Sequence, residues 1–407
     1  MHSGLIAAVG FAAPTATGVA QPKFLAKELL DEGWISLFDG ETMFGWQPSG
    51  DAKWEVVDGE IRTDGAKPGW LMTTSRWANY TLSGEFRASS TTNSGVFLCT
   101  PLKPTNPATD CYEWNIAPDD NPFPTGSFVA RQKGTNLSKR ACYDEWVTFT
   151  ITVHKNYIAG VVESITGAKE SPCRTCDLVE KQSLPVGYIG LQSKEGPVAF
   201  RNLMLLPMDL EPLFDGKDLS GWSTERAVKS KFNVTKDGEL HMTNGPGQID
   251  TAADFTNFVL QIDCKSNGNE LNSGVFFRTL RQGWCAGYES QIHNGFKDGD
   301  RTKPKDFGTG AIYRRQPARY VVPKDHEWFT TTIVADGPHM AVWVNGYQVS
   351  DWTDTRPAKE NAREGRRDAG GAITLQGHDA TTDFLFRNIR AAELPADKAP
   401  AGNAGSK

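Results

Sequence analysis

The chain has 407 residues, of which 39% are hydrophobic and 23% are charged, so its composition is that of a folded globular protein and excludes a disordered one. A formal net charge of −6 and a pI near 5.7 disfavour nucleic acid and anionic membrane surfaces as partners. The content of 40 glycines and 12 tryptophans favours turn-rich β structure over helix bundles.

Residues 1–31 predict a leader and a lead-in segment ahead of the first folded domain. Residues 5–13 form an apolar run, and small residues follow it as far as Ala20. The run has the length of a signal-peptide core and is too short to cross a bilayer. Only His2 precedes it, where a signal peptide usually has basic residues. We expect a cleaved signal and export to the periplasm or the cell exterior, with no membrane span elsewhere.

The chain then carries one series of sequence landmarks twice, in the same order. The copies are too far apart for a solenoid repeat of roughly 20–50 residues and fit two complete domains. We expect the first domain at residues 32–207, the second at 208–394, and a disordered polar tail at 395–407. The short, proline-bearing connection predicts that the two domains pack against each other. The repeated landmarks are LFDG at 37–40 and 213–216, NSGVF at 93–97 and 272–276, YE at 112–113 and 288–289, LQ at 191–192 and 375–376, and FRN at 200–202 and 386–388.

Within each repeat, β-rich runs alternate with turn residues, which is the pattern of a sandwich. In the second domain, residues 330–335 and 340–344 predict two strands, and Asn345-Gly346 predicts the hairpin turn that follows them. Helical periodicity is nearly absent. Residues 358–367 are strongly charged and predict a short helix or a lid loop. The fold class we expect is all-β, with two tandem antiparallel β-sandwiches.

The most informative strand for function is YESQIH at residues 288–293. Side chains alternate between the two faces of a strand. Glu289, Gln291 and His293 therefore share one face, which is polar, while the other three residues form a face suited to packing. The sequence thus predicts a polar sheet face that carries a carboxylate and an imidazole.

A second strand predicts that a cation joins this face. In NSGVFFR at residues 272–278, alternation puts Asn272 and Arg278 on the same side. If the two strands are neighbours in one sheet, Arg278 and Glu289 meet on one concave surface. The alternative is an exposed polar sheet face with a surface ion pair.

The two copies differ where the second carries its most reactive side chains. If only one copy reacts, we therefore expect it to be the second. The first is then either a degenerate copy kept for packing or an extension of the substrate groove. The residues that only the second copy has are Arg278, His293, Tyr313 and His378, which correspond to Cys99, Ala117, Val129 and Lys194.

Taken together, these landmarks resemble the 3-keto-disaccharide hydrolase domain family, here in two tandem copies. The resemblance covers nearly all of the second domain and, more thinly, the first, which departs from the pattern at the four positions above. It implies jelly-roll sandwiches of the concanavalin A type. It also implies cleavage of glycosides already oxidised to a ketone at C3 of the sugar, often by secreted bacterial proteins. The motifs are LFDGKDLSGW at 213–222, NSGVFFR at 272–278, GYESQI at 287–292, TGAIY at 309–313, NG at 345–346, LQGH at 375–378 and FRNI at 386–389.

The residues themselves bear on how such a bond is cleaved. An ordinary glycosidase places two carboxylates around the glycosidic bond, whereas this strand offers only Glu289. A C3 ketone acidifies the hydrogen on C2, so one base can remove it, and the C1 substituent then leaves by elimination or net hydrolysis. We expect Glu289 or His293 to be that base. We expect Arg278, Tyr313 or His378 to stabilise the enolate oxygen.

The sequence requires no cofactor for this chemistry. A divalent metal bound by Glu289 and the histidines is an open alternative, because carboxylate plus imidazole is a common ligand set.

The expected partner is a carbohydrate, bound by polar and aromatic residues around the reactive groups. Trp284 follows a glycine in the loop that leads to Glu289, and we expect it to be a platform for a sugar ring. The alternative function is a non-catalytic, lectin-like carbohydrate-binding protein, because sandwich folds host many of these. A third is a structural spacer at a cell surface. The expected substrate-binding residues are Asn272, Trp284, Gln291, Tyr313 and Gln376.

Overall fold

The computed structural model describes residues 23–136, 143–164, 174–181 and 183–395. The predicted signal and nearly all of the predicted tail lie outside these residues. In the described part, the helices are two short ones, α1 (Lys27–Glu32) and α2 (Pro107–Asp110). No described helix is both long and apolar enough to cross a membrane.

The first domain consists of two antiparallel sheets. In sequence order its described strands are β1 (Ile35–Ser36), β2 (Trp46–Gly50), β3 (Glu55–Val57), β4 (Glu60–Thr63), β5 (Gly69–Thr73), β6 (Tyr80–Ala88), β7 (Ser94–Thr100), β8 (Tyr112–Ile116), β9 (Thr135–Asn136), β10 (Val147–His154), β11 (Tyr157–Ser164), β12 (Arg174–Val179), β13 (Tyr188–Ser193) and β14 (Val198–Pro207). The larger sheet has the order β3-β4-β14-β6-β10-β11-β12-β9, with β1 also paired to β14, and the smaller has the order β2-β5-β13-β7-β8.

The second domain repeats this arrangement. Its strands are β15 (Glu211–Pro212), β16 (Trp222–Ser223), β17 (Lys231–Val234), β18 (Leu240–Thr243), β19 (Gly247–Thr251), β20 (Phe258–Ser266), β21 (Ser273–Thr279), β22 (Tyr288–Ile292), β23 (Phe296–Lys297), β24 (Asp300–Pro304), β25 (Phe329–Asp336), β26 (His339–Val344), β27 (Tyr347–Thr353), β28 (Ala372–Gly377) and β29 (Asp383–Glu393). The larger sheet runs β17-β18-β29-β20-β25-β26-β27 with β15 beside β29, the smaller runs β16-β19-β28-β21-β22, and β23 pairs with β24. Among the described strands, the strand orders of the two domains correspond as a duplication predicts, except that β9 has no counterpart in the second domain and the β23–β24 pair has none in the first.

The core of each domain lies between its two sheets, and strand alternation explains why. In β6, buried and partly exposed residues alternate along the whole strand, so one side chain in two enters the core. The inward residues include Phe86 and Phe149 in the first domain and Phe258 and Phe386 in the second. Burying such aromatic rings stabilises each sandwich by about 2 kcal/mol per side chain. The prediction of two tandem jelly-roll β-sandwiches of the concanavalin A type is confirmed.

The two domains share an apolar interface. The buried cluster of the first domain continues into Val334, Ala341 and Trp343 of the second. The Trp343 ring lies 5.7 Å from the ring of Trp77, centroid to centroid, and its indole N–H donates to the carbonyl of Ser36 over 2.9 Å. The domains therefore pack against each other, as the short connection predicts.

The structure also tests the predicted strands, turn and charged segment of the second domain. The two strands expected at residues 330–335 and 340–344 are present as β25 and β26, and Asn345 and Gly346 both have positive φ, 45° and 70°, as a two-residue hairpin turn requires. For residues 358–367 the sequence leaves a short helix or a lid loop open, and the structure shows no helix there. They belong to an irregular loop, residues 354–371, between β27 and β28.

Candidate functional site

A cavity of about 380 Å³ opens on the smaller sheet of the second domain, on the face turned away from the core. It brings together seven of the sequence-predicted site residues, and two arginines complete the wall. The lining residues are Asn272, Trp284, Glu289, Gln291, Tyr313, Arg314, Arg363, Gln376 and His378.

Two neighbouring strands, β21 and β22, provide the floor of the cavity. In their antiparallel register, Phe276 lies opposite Glu289 and Gly274 lies opposite Gln291. Tyr288, on the other face of β22, belongs to the hydrophobic core. The alternation expected for residues 288–292 is therefore present, with Glu289 and Gln291 on the cavity side.

Gly274 makes room for the carboxyl group of Glu289. A Cβ atom at this position would lie 2.7 Å from Glu289 Oε1 and 3.1 Å from a ring carbon of Phe276, both too close. The carboxyl group thus occupies the space that a side chain on the neighbouring strand would take. Any larger residue at position 274 would push Glu289 out of its place.

Glu289 is almost completely buried, with 5% of its surface exposed. Burial raises the pKa of its carboxyl group to about 7, while the nearby Arg363 guanidinium acts in the opposite direction. Arg363 Nη2 lies 3.1 Å from Glu289 Oε2, yet Oε2 has no hydrogen-bond partner with suitable geometry among the described residues. The carboxyl group can therefore exchange a proton near neutral pH, and its Oε2 is a buried acceptor beside Arg363.

Arg363 reaches the cavity from the loop of residues 354–371. Its Nε donates to the carbonyl of Cys285 over 3.2 Å, and its guanidinium lies 4.9 Å from the centre of the Phe276 ring. Its own carbonyl accepts a 2.7 Å hydrogen bond from Arg315. These contacts hold a positive charge directly over the floor of the cavity.

Two amide side chains of the cavity are oriented by one carboxylate. Asp306 Oδ2 accepts from Asn272 Nδ2 over 2.7 Å and from Gln291 Nε2 over 2.8 Å. Because both nitrogens are used, the amide oxygens point away from Asp306, and that of Gln291 accepts from the backbone N–H of Ile292 over 3.2 Å. Gln376 adds a buried Oε1 without a hydrogen-bond partner in the described part of the chain. Such groups are suited to the hydroxyls of a polar ligand.

The rim of the cavity combines aromatic and ionisable groups. The Trp284 side chain is 45% exposed, which is unusual for such a large apolar ring. The Arg314 guanidinium lies 5.4 Å from the centre of the Tyr313 ring. His378 Nδ1 lies 2.9 Å from Asp379 Oδ2, and both side chains are about half exposed.

The structure corrects the expected position of Arg278. Its side chain is fully buried and donates to the carbonyls of Thr256, Gly337 and Arg367 and to Asn257 Oδ1 over 2.6 to 3.1 Å. Arg278 has a positive φ of 50°, and the register of β21 against β28 shifts there. This β-bulge breaks the alternation, so Arg278 does not meet Glu289.

His293 also lies apart from the cavity. Strand β22 ends at Ile292, so the alternation that would align His293 with Glu289 stops one residue too early. The ring Nδ1 of His293 accepts from the backbone N–H of Gly295, and His293 is not among the residues that line the cavity.

Two arginines of the cavity were missed by the sequence argument. Arg363 lies in the charged run of residues 358–367, for which the sequence predicts a short helix or a lid loop but assigns no residue to the site. Arg314 directly follows the predicted Tyr313. The signal for both was a cluster of arginines, but nothing in the sequence shows which loop residue folds back over a distant strand.

The first domain keeps only part of this arrangement. Glu113 is equally buried, and burial raises the pKa of its carboxyl group to about 6, with Lys194 and Gln192 opposing the shift. The connection that corresponds to the Arg363 loop spans only residues 180–187. Within the described residues of the first domain, no arginine occupies the place of Arg363 beside the carboxyl group.

No cluster of three or more His, Cys, Asp or Glu side chains among the described residues is arranged to hold a metal ion. The donors of the cavity itself are Glu289 and His378. A divalent metal at this site remains a prediction from the sequence.

The fold and the cavity define a tandem β-sandwich protein with a polar, ligand-sized site in its second copy. The family model of the 3-keto-alpha-glucoside-1,2-lyase-like domain matches residues 33–206 and 209–392, and the chain belongs to this family. No curated protein matches the chain.

Several solved structures are similar to one domain of the chain. Two are candidate glycosyl hydrolases from Parabacteroides distasonis ATCC 8503, at 19% and 26% identity with TM-scores of 0.39 and 0.37, and each aligns over 46% of this chain and 100% of its own. A carbohydrate-binding module from Bacillus subtilis aligns at 17% identity with a TM-score of 0.30, over 44% of this chain and 98% of its own.

Proposed function

We propose that the second domain cleaves 3-keto-glycosides by removing the proton on C2 and expelling the C1 substituent. The observation that carries this proposal is the buried carboxyl group of Glu289, whose pKa is raised to about 7. A base with a pKa near the working pH is suited to abstracting a proton next to a ketone. Membership of a family described as 3-keto-alpha-glucoside-1,2-lyase-like supports the same reaction.

The first proposed step forms an enolate. A Glu289 oxygen takes the proton from C2, and the electrons of the C2–H bond delocalise onto the C3 oxygen of the ketone. In this proposal Arg363, with its guanidinium 3.1 Å from Glu289 Oε2, and the hydroxyl of the cavity-lining Tyr313 stabilise the negative oxygen. Charged donors fixed in a site of low exposure stabilise such a charge more than water does.

The second proposed step breaks the glycosidic bond. The enolate electrons form a C1–C2 double bond and re-form the C3 ketone, and the aglycone oxygen leaves with the C1–O electron pair. His378 or Tyr313 protonates that oxygen, and Glu289 returns its proton to solvent. The products are an unsaturated 3-keto sugar and the free alcohol. Addition of water across the double bond gives net hydrolysis.

The remaining cavity residues bind the sugar in this proposal. The exposed ring of Trp284 stacks on the apolar face of a sugar ring. The amides of Asn272 and Gln291, oriented by Asp306, and the unpartnered Oε1 of Gln376 bond sugar hydroxyls. A sugar hydroxyl that donates to a buried acceptor increases the affinity for the sugar, because that acceptor has no hydrogen-bond partner among the described residues of the unbound protein.

The proposed reaction consumes no redox cofactor, because the substrate already carries the ketone. Dependence on a divalent metal is tested by dialysis against EDTA. If turnover is lost after dialysis and returns when the metal is restored, the reaction requires a divalent metal. If turnover is unchanged, the reaction proceeds without one.

The function is tested by following release of 4-nitrophenol from the 3-keto α- and β-glucosides of 4-nitrophenol. We expect turnover by the wild-type protein and a loss of about 10²–10⁴-fold in Glu289→Gln, the range typical for removal of a general base. The matched control is Glu113→Gln, which removes the equivalent carboxyl group from the first domain and should leave the rate unchanged. Loss of rate in Glu113→Gln, together with full rate in Glu289→Gln, would place the reaction in the first domain and contradict the proposal.

The same assay distinguishes the alternative function. The 45% exposure of Trp284 also favours a lectin-like protein that binds sugars without cleaving them. Saturable binding of a 3-keto glucoside with no release of 4-nitrophenol by the wild-type protein would support that alternative and contradict the proposed reaction.

A further inference from the structure

A cavity of about 730 Å³ lies between the two domains, apart from the Glu289 site. Residues of both domains form its walls, so it exists only because the domains are packed together. We refer to it as the interdomain cleft. Its lining residues are Gln47, Thr74, Arg76, Leu102 and Tyr188 from the first domain and Asn257, Asp336, Gly337, Pro338, His339, Asp351 and Thr353 from the second.

The walls of the interdomain cleft are held together by a buried ion pair. Arg76 Nε donates to Asp336 Oδ2 over 2.6 Å, and Arg76 Nη2 donates to Asp336 Oδ1 over 2.7 Å. The side chains are only 17% and 6% exposed. A bidentate pair of this kind fixes orientation as well as distance. With the apolar interface beside it, the pair fixes the position of the two walls relative to each other.

The buried Arg278 braces one wall. Asn257 Oδ1 accepts from Arg278 Nη2 over 3.1 Å and from the backbone N–H of Gly337 over 2.9 Å. These contacts fix the orientation of the Asn257 amide, whose Nδ2 is a donor on the wall of the interdomain cleft. A residue that the sequence assigned to the Glu289 cavity thus supports the interdomain cleft instead.

The carboxylates of the interdomain cleft are paired within the protein. Arg76 neutralises Asp336, and a second carboxylate, Asp351, lies 3.3 Å from His339 Nε2. The same His339 nitrogen lies 3.2 Å from the Ser75 hydroxyl of the first domain. Burial lowers the pKa of His339 and raises that of Asp351. Each carboxylate of the wall thus has its own partner within the protein, and the wall offers both hydrogen-bond donors and acceptors.

The interdomain cleft extends along the first domain. A second cavity of about 540 Å³ shares Arg76, Leu102 and Tyr188 with it, so the two adjoin. This extension adds an apolar stretch that includes Leu184 and Val186. An elongated groove that combines amides, carboxylates, a tyrosine and apolar patches has the surface chemistry that complements a chain of sugar rings, each with polar edges and apolar faces.

We propose that the interdomain cleft binds a neutral oligosaccharide at a site separate from the Glu289 cavity. Two bound sugar sites on one rigid chain would hold a long carbohydrate near the reactive centre and raise its local concentration. The binding proposal does not depend on the reaction proposed for Glu289.

The test measures calorimetric binding of maltohexaose and cellohexaose, neither of which carries a ketone at C3. Leu102→Trp fills the groove from a loop position and should weaken binding by about tenfold or more. Tyr188→Ala should do the same by removing a ring from the wall. The matched control is Val179→Trp, which adds the same tryptophan ring at an exposed position outside both cavities and should leave this binding unchanged.

Two results would overturn the proposal. One is the absence of saturable binding of both probes by the wild-type protein up to millimolar concentrations. The other is binding that survives in Leu102→Trp and is lost in Trp284→Ala, which would assign it to the Glu289 cavity. Release of 4-nitrophenol from 3-keto glucosides, measured on the same variants, reports on the catalytic proposal separately.

Discussion

At the scale of single residues, Glu289 combines a chemical and an energetic role. A carboxyl group in an unfolded chain titrates near 4.3, whereas burial raises the pKa of Glu289 to about 7 in the folded protein. The folded state therefore prefers the protonated form. The contribution of Glu289 to the free energy of unfolding is fully present below the pKa of the unfolded chain. It is lost as the pH rises through the pKa of Glu289 in the folded protein.

Replacing Glu289 with glutamine should therefore stabilise the fold while it removes the activity. Glutamine mimics the protonated carboxyl group, so the free energy of unfolding should increase by roughly 3 kcal/mol near pH 8 and change little near pH 4. Denaturant unfolding at the two pH values measures this. Glu113→Gln should show a smaller gain, because the pKa of Glu113 is raised only to about 6. A destabilised Glu289→Gln variant at pH 8 would contradict the account of this carboxyl group.

The pH dependence of turnover gives a second prediction. Glu289 acts as a base only when it is deprotonated, so kcat/KM should rise with pH and level off above an apparent pKa of about 7. Initial rates measured between about pH 5 and pH 9 test this. A rate independent of pH across that interval would show that a group other than Glu289 takes the proton.

Arg363 should contribute both to the rate and to this pH profile. In Arg363→Ala the enolate loses its charged donor, so kcat should fall by about 10²–10³-fold. The same change removes the charge that opposes the raised pKa of Glu289, so the apparent pKa of the remaining activity should move upward. The matched control is Arg366→Ala, in the same loop and paired with Asp368. A lower kcat without a shifted pH profile would mean that Arg363 acts only through the structure of the loop.

At the scale of elements, strand alternation predicted much of the site and failed at two identifiable points. It placed Glu289 and Gln291 correctly, because β21 and β22 are regular up to Ile292. It failed at Arg278, where a β-bulge reverses the face, and beyond Ile292, where the strand ends before His293. Positive φ at a non-glycine residue is not readable from one sequence. The same bulge recurs at Cys99, which has a φ of 50° in the first domain.

The loop of residues 354–371 depends on a buried anchor at its start. Asp354 is 1% exposed and accepts from the Tyr288 hydroxyl over 2.7 Å. Arg356 donates to Asp354 and to the carbonyls of Ala362 and Gly365. The approach of Arg363 to Glu289 could not be predicted, because these contacts join residues that the sequence pattern does not relate.

Removing this anchor should loosen the loop and displace Arg363. We expect Arg356→Ala to lower kcat/KM by about 10–100-fold, since a misplaced catalytic group loses much of its effect. Trypsin should cleave within residues 357–367 faster than in the wild-type protein, because the loop opens more often. Unchanged proteolysis together with a reduced rate would contradict the role of Arg356 as an anchor.

At the scale of the whole molecule, the duplication was readable from the sequence, whereas the geometry between the copies was not. Repeated landmarks predicted two domains of one fold, and the corresponding strand orders agree with that. No sequence motif marked Arg76 and Asp336 as partners, because they lie in different domains. The interface joins them through tertiary packing alone.

The Arg76–Asp336 pair should couple the stability of the two domains. Arg76→Ala leaves a buried carboxylate without its partner, which typically costs about 3–5 kcal/mol. We expect calorimetric unfolding of this variant to begin at a lower temperature and to separate into two transitions. Lys27→Ala, which removes an exposed ion pair with Asp31, should cost less than about 1 kcal/mol. Equal effects of the two changes would show that the interface does not depend on this pair.

The claim that the second sandwich removes the C2 proton is tested most directly with a 3-keto glucoside deuterated at C2. NMR follows the deuterium while the aglycone is released in ordinary water, with Glu289→Gln as the reference for spontaneous exchange. We expect the wild-type protein to release aglycone and deuterium together, and the Glu289→Gln variant to release neither above the background rate. Aglycone release by the wild-type protein with deuterium retained at C2 would contradict the mechanism.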